Sequence, residues 1–149
     1  MISVQQQDFN IGDEYHALIQ DAYSEGAVVT FVGLVRDINQ GNSVKGLTLE
    51  HYPGMTEKSL KSIVQQAKQR WPLGKVRVIH RVGKLKLSDQ IVFVGVTSRH
   101  RESAFLACQF IMDYLKNQAP FWKKESTEKG ESWVEFNDKD QKAMQRWQK

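Results

Sequence analysis

At 149 residues, with 40% hydrophobic and 26% charged, the chain is long enough to bury roughly two-thirds of its unfolded surface without help from disulfides or metals. Its one cysteine excludes an intrachain disulfide and a cysteine-based metal site, and a reducing, cytoplasmic compartment is expected. The net charge of +4 suits an anionic ligand but lacks the dense basic cluster of a typical nucleic-acid footprint.

No stretch approaches the roughly 18 consecutive apolar residues of a membrane helix, and MISVQQQDFN lacks the basic-then-apolar order of a secretory signal. Without repeats or a Pro/Ser-rich linker, residues 1–149 are expected to form a single domain.

The segment AVVTFVGLVR (27–36) is rich in β-branched and aromatic residues and predicts a buried strand after Gly26. A polar loop, DINQGNSV, leads to a second strand, KGLTLEHY (45–52), so the pair is expected to form a hairpin with a long tip at Gly41. The period then changes. In PGMTEKSLKSIVQQAKQRW, Leu60, Ile63, Val64, Ala67 and Trp71 fall on one helical stripe, which Pro72 ends.

Alternation returns in KVRVIHRVG (75–83) with Val76, Val78, His80 and Val82, where His80 is the imperfect member. The apolar run QIVFVGVTS (90–98) predicts a central strand. A second helix follows, with Ser98 as candidate N-cap and Ala104, Ala107, Cys108, Ile111 and Leu115 as its buried stripe. Past the break at Pro120, FWKKES and SWVEF read as short strands around the turn-prone TEKGE, and NDKDQKAMQRWQK as a final helical turn or two. The order β-β-α-β-β-α-β-β is mixed and predicts an α+β fold.

Two clusters carry chemistry. In TSRHRESAF, Arg99, His100 and Arg101 stand where a strand gives way to a helix. Free N–H groups and the positive dipole end welcome an anion there, whereas basic side chains are locally unfavourable, so three in a row point to a phosphate or carboxylate. A solvated helix start paired with Glu102 is the simpler alternative. Arg36, at the end of its strand, gains weight only if it points to the same place.

The second cluster is LKNQAPFWKKE (115–125), which sets Lys116 and Lys123 on either side of a proline-aromatic break. A reversal there would bring both amines to one pocket. Lys116, beside the apolar stripe, is expected to be partly desolvated and so a usable base, with Lys123 as a second cation lowering its pKa further. Two solvated surface lysines are the alternative.

Cys108 lies on an apolar helical stripe and is expected to be a core residue. His16, His51, His80 and His100 lack metal-ligand spacing, so no metal is expected. Phosphate-loop, dinucleotide and hydrolase-elbow motifs are absent, and no cofactor is expected.

Taken together, GAVVTFVGLVRD, LTLEHYPGMTEKSL, RWPLGKVRVIHRVGKL, IVFVGVTSRHRESAF, FIMDYLKNQAPFWKKE and WVE closely resemble the large, catalytic subunits of molybdopterin synthase, over about residues 8–147. The resemblance implies an α/β-hammerhead fold with an additional antiparallel β subdomain. It implies a homodimer of this chain within a heterotetramer. Each end would bind a small ubiquitin-like sulfur-carrier subunit whose C-terminal Gly-Gly tail bears a thiocarboxylate. The reaction implied is transfer of two sulfurs to cyclic pyranopterin monophosphate, giving molybdopterin.

Matched motif by motif, the resemblance makes Lys116 and Lys123 the catalytic lysines. It assigns Leu34, Val35, Arg36, His100, Arg101, Lys124 and Glu125, with the two lysines, to substrate binding. No nucleic acid or membrane enters this picture. A non-catalytic scaffold for the small subunit, or a basic nucleic-acid-binding dimer, are the rival readings.

Overall fold

The computed structural model of the chain describes residues 1–39, 42–127, 129–134 and 138–148. Its first half runs β1 (Ile2–Gln5), α1 (Ile11–Ile19), β2 (Ala27–Leu34), β3 (Ile38–Asn39), β4 (Asn42–His51) and α2 (Met55–Arg70). The second half runs β5 (Leu73–Arg81), β6 (Gly83–Lys86), β7 (Gln90–Ser98), α3 (Arg101–Gln118), β8 (Phe121–Thr127), β9 (Gly130–Trp133) and α4 (Asp138–Gln145).

The strands form two sheets. One has the order β1-β5-β7-β2, with β1 parallel to β5 and the other pairs antiparallel. Its inner strand β7 is apolar almost throughout because both faces are covered. Val92, Val94 and Val96 join Val76 and Val78 under α2 and α3, where Leu60, Ile63, Ala67, Ala107, Phe110 and Ile111 complete the main core. On the reverse face Ile79 and Phe93 meet Phe9 and Leu18 beneath α1. Each of the largest fully buried side chains, such as Phe93 and Phe110, contributes about 1.5–3 kcal/mol by leaving water.

The other sheet has the order β3-β4-β8-β9, with β6 also paired to β4. It has a small core of its own, in which Val35, Leu47, Leu49 and Leu85 pack with Ile91. This is the α+β hammerhead arrangement with an added antiparallel subdomain that the resemblance implies.

Several local expectations change. β2 and β4 do not form a hairpin: β2 pairs with β7, while β4 pairs with β6 and β8 in the second sheet. Neighbouring apolar strands have no local rule telling them which sheet will complete them, and the segment between them, which carries β3 paired to β4, crosses from one sheet to the other. The proposed tip at Gly41 lies outside the described residues, as do Glu135 and Phe136 of SWVEF, Glu128 of TEKGE, and Asn137 and Lys149 of the tail.

Ser98 is not the N-cap of α3. It ends β7 and its hydroxyl donates to the Pro72 carbonyl at 2.8 Å, leaving His100 at the cap position without a side-chain cap bond. β1, α1, β3 and β6 were not expected. α1 is visible afterwards in its Asn10 cap, whose side chain accepts from the Asp13 N–H at 3.0 Å, and in acidic residues in its first turn. No helix among the described residues is long and apolar enough to cross a membrane.

Candidate active site

The chain reverses at Ala119-Pro120. Ala119 is extended, with φ −76° and ψ 133°, because a residue before proline is driven out of the helical region. α3 therefore stops at Gln118 and β8 starts at Phe121, returning alongside β4 with Lys123 opposite Leu49 and Phe121 opposite His51. The reversal lies over a cavity of about 650 Å³. Arg36, His80, Lys116, Lys123, Glu125 and Asp140 are its charged and titratable lining, along with Lys139.

The break does bring the two lysines together, but their roles differ from the sequence expectation. Lys116 is exposed on the last turn of α3, whereas Lys123 is the half-buried amine. Burial pushes Lys123 down to about 8, the charge of Lys116 lowers it further, and Asp140 and Glu125 oppose the fall. The two amines are close enough that the charge of Lys116 bears on the proton of Lys123. The sequence had placed the desolvated amine on Lys116 because that residue follows the buried Leu115. It is the pleat of β8, turning alternate residues inward, that buries Lys123 instead.

Leu34, Val35 and Arg36 lie together on the cavity rim. Val35 is buried and its backbone is clamped, its N–H donating to Asp89 at 2.9 Å and its carbonyl accepting from Ser88 at 2.8 Å. That anchor projects Arg36, an exposed guanidinium with no ion pair among the described residues. Leu34 is exposed beside it.

Glu125 lines the cavity, but Lys124 does not. Lys124 occupies the alternate face of β8, paired with Glu131 at 2.9 Å and 5.5 Å from the centre of the Trp133 ring; that carboxylate holds its pKa above the usual value. His100 and Arg101 are also outside the cavity. They lie exposed at the start of α3, and fifteen residues of helix put them about 22 Å from Lys116.

The structure adds residues the sequence reading missed. His80 is buried and stacks on Phe121, with ring centres 3.8 Å apart and planes at 18°. Its only advance signal was the polar lapse in an apolar alternation. Lys139 and Asp140 arrive with α4, and this helix and the residues just after it are fastened to α3, in part by an Arg146–Asp113 ion pair at 3.6 Å. The Trp147 indole N–H donates to Asp113 Oδ2 at 2.7 Å, and Asn117 Nδ2 donates to the Asp140 carbonyl at 2.7 Å. Trp147 also packs edge-on against Trp71 and Phe110. Nothing local in the tail announces this long-range docking. No group of three or more His, Cys, Asp or Glu side chains gathers as a metal site among the described residues.

An α+β scaffold with paired lysines and an arginine around one open cavity has the geometry of a pocket suited to an anionic ligand. The profile of the family described as MoaE protein matches residues 4–118. The chain is 59% identical over 147 residues to the molybdopterin synthase catalytic subunit of Vibrio cholerae, covering 99% of this chain and 97% of that one. The solved molybdopterin biosynthesis MoaE protein from Burkholderia ambifaria superposes with a TM-score of 0.85 at 47% identity, covering 100% of this chain and 98% of the other. A more distant fold likeness, with TM-score 0.74 and 18% identity over 90% of each chain, is to a complex of subunits 1 and 2 of the molybdopterin-converting factor of Helicobacter pylori. The chain belongs to the MoaE family, the catalytic subunits of molybdopterin synthase, and is an enzyme subunit of molybdopterin biosynthesis.

Proposed function

We propose that this chain transfers sulfur to cyclic pyranopterin monophosphate, taking it from the C-terminal thiocarboxylate of a small ubiquitin-like partner whose Gly-Gly tail enters the cavity. The observation that carries the reading is the Lys116–Lys123 pair beside Arg36 in a cavity large enough for a small heterocycle. The distant likeness to a two-subunit complex supports the small partner.

In each round the thiocarboxylate sulfur attacks an oxygen-bearing substrate carbon and a C–S bond forms. The carbon–oxygen bond breaks, its oxygen leaving on the opened phosphate or as water, and the new sulfur is left as a thioester to the tail. Water then cleaves the acyl–sulfur bond, leaving the sulfur on the product and a carboxylate on the tail. Two rounds deliver two sulfurs. Negative charge develops on oxygen in the acyl-cleavage step, and a preorganised ammonium lowers that barrier. Lys123, with its pKa lowered to about 8, suits proton transfer near neutral pH. Exposed Lys116 suits charge stabilisation and holds the Lys123 pKa down. Arg36 takes the cyclic phosphate, with Leu34 and Val35 shaping the rim and Glu125 steering Lys123. Sulfur arrives on the partner, so Cys108 remains a core residue; burial pushes its thiol up to about 12.

His100 and Arg101 fit this reading only as groups supplied by a second copy of the chain, as the homodimer implied by the resemblance would allow. Lys124 fits a contact to the partner's surface better than one to the substrate. The working compartment is the cytoplasm.

The test is a single-turnover reaction of the chain with thiocarboxylated small subunit and cyclic pyranopterin monophosphate, read as the fluorescent oxidised product, with Lys116→Ala in parallel. Product from the wild type and little from the variant supports the proposal. A formed complex without product overturns it. Equal product from both returns the scaffold reading, and binding to generic RNA at physiological salt, without small-subunit binding, returns the nucleic-acid reading.

A further inference from the structure

His80 lies at the floor of the lysine cavity, and its chemistry is fixed by its neighbours. The residue is 5% exposed and its ring is stacked on Phe121, two residues before Lys123 on β8. Nδ1 lies 2.9 Å from the Arg81 carbonyl oxygen. A carbonyl only accepts, so Nδ1 carries the proton and, in the neutral ring, Nε2 holds the lone pair. Nε2 has no hydrogen-bond partner among the described residues and is not among the polar atoms sealed from solvent without one. With the ring lining the cavity, Nε2 is the atom left to a ligand.

The charges around the ring keep it in that state. Burial is the main cause that drives the His80 pKa down to about 3, and Lys123 of β8, Lys116 of α3 and His51 of β4 all push the same way, against the Arg81 carbonyl. A protonated imidazole would offer the cavity another donor beside two ammonium groups. The neutral tautomer offers an acceptor instead. The cationic side chains of this cavity select anions, yet cannot accept from an N–H group, and a reduced pterin carries several such donors.

We propose that His80 Nε2 is a substrate-recognition acceptor, taking a hydrogen bond from a ring N–H or amino group of the pterin while the lysines and Arg36 hold its anionic part. This rests on the sulfur-transfer reading and adds a specificity determinant to it. The stack on Phe121 gives the acceptor a fixed direction, and so favours a heterocycle with a donor edge over a simple phosphate ester.

The experiment uses the complex with thiocarboxylated small subunit and measures KM and kcat for cyclic pyranopterin monophosphate. His80→Phe keeps a ring to stack on Phe121 and removes the acceptor; KM is expected to rise about tenfold, the worth of one ordinary hydrogen bond, with kcat little changed. His80→Gln restores an acceptor and is expected to recover most of the loss. An unchanged KM in a folded His80→Phe overturns the assignment while leaving sulfur transfer intact. Absence of product from the wild-type complex overturns the sulfur-transfer reading.

Nitrogen NMR of the wild-type chain with labelled histidine tests His80 without any variant. The Nδ1–H tautomer with a bare Nε2 should persist from about pH 5 to 8, and added cyclic pyranopterin monophosphate should shift the Nε2 signal. A protonated Nε2, or no response to a substrate that binds, also overturns the assignment.

Discussion

Lys123 and Lys116 meet across a proline break, one half-buried on β8 and the other exposed on the last turn of α3. Their closeness makes one amine's proton depend on the other. Replacing either with alanine is expected to lower kcat by about 10²–10⁴-fold, the usual range for lost acid–base or oxyanion help. Small-subunit affinity should change little. In Lys116→Ala the residual rate should also show its lysine-dependent limb above pH 8, because a cation that lowers the Lys123 pKa has gone. A limb that stays in place would mean that Lys116 does not tune Lys123.

The same lysine makes stability depend on pH. Its pKa is ordinarily 10.5 and about 8 in the folded chain. Below pH 8 both states hold the proton and the cost of burying it is fully present. Between the two values the unfolded chain binds more protons, so stability rises with pH across that window. Urea midpoints of wild type and Lys123→Met at pH 7.5, 9 and 10 would check this. The wild type should gain on the variant as pH rises, and parallel curves would refute the assignment.

Arg36 projects from a clamped strand end with no ion pair among the described residues to lose. Arg36→Ala is therefore expected to leave the melting temperature nearly unchanged while raising KM for the phosphorylated substrate by about 10- to 100-fold, the scale of a lost charge-assisted hydrogen bond. Arg36→Lys should recover only part of this, since an ammonium cannot reproduce a bidentate fork.

Trp147 fastens one wall of the cavity from outside it. Trp147→Ala removes the indole bond to Asp113 and the edge contacts to Trp71 and Phe110, and should cost about 2–4 kcal/mol. It should also release α4, and with it Asp140. Hydrogen exchange would then rise over 138–148 before the rest of the chain opens. Uniform exchange along the sequence would show that α4 is not a separate unit.

His100 and Arg101 are too far from Lys116 to serve the same cavity within one chain. If a second copy supplies them, mixing the two inactive proteins Lys116→Ala and Arg101→Ala, with exchange of subunits, should restore about a quarter of wild-type activity, because each mixed dimer regains one intact site of two. No recovery after verified exchange would remove both residues from the substrate site.

The main helices and the inner strand were legible locally. The stripe Leu60, Ile63, Val64 and Ala67 is buried in α2 as its period required, and QIVFVGVTS is an inner strand because only a strand covered on both faces can be so apolar. Pro120 likewise fixed where α3 must stop, so the meeting of Lys116 and Lys123 could be anticipated from covalent geometry and chain reversal alone.

Tertiary structure decided what depends on partners remote in sequence. The split of β2 and β4 between two sheets comes from their pairing with β7, and with β6 and β8, respectively, which neighbouring residues do not encode. The pleat of β8, once set against β4, sent Lys123 inward and Lys124 out to Glu131, reversing which lysine loses its water. Asp140 reached the cavity through Asn117 and the docking of Trp147 on Asp113, and His80 became an acceptor only when Phe121 stacked on its ring. Residue types and their spacing offered a cationic cavity around Lys116 and Lys123 as one of two open readings, beside two solvated surface lysines. Long-range packing, which controls burial and therefore pKa, settled which groups in it are charged, neutral or turned away.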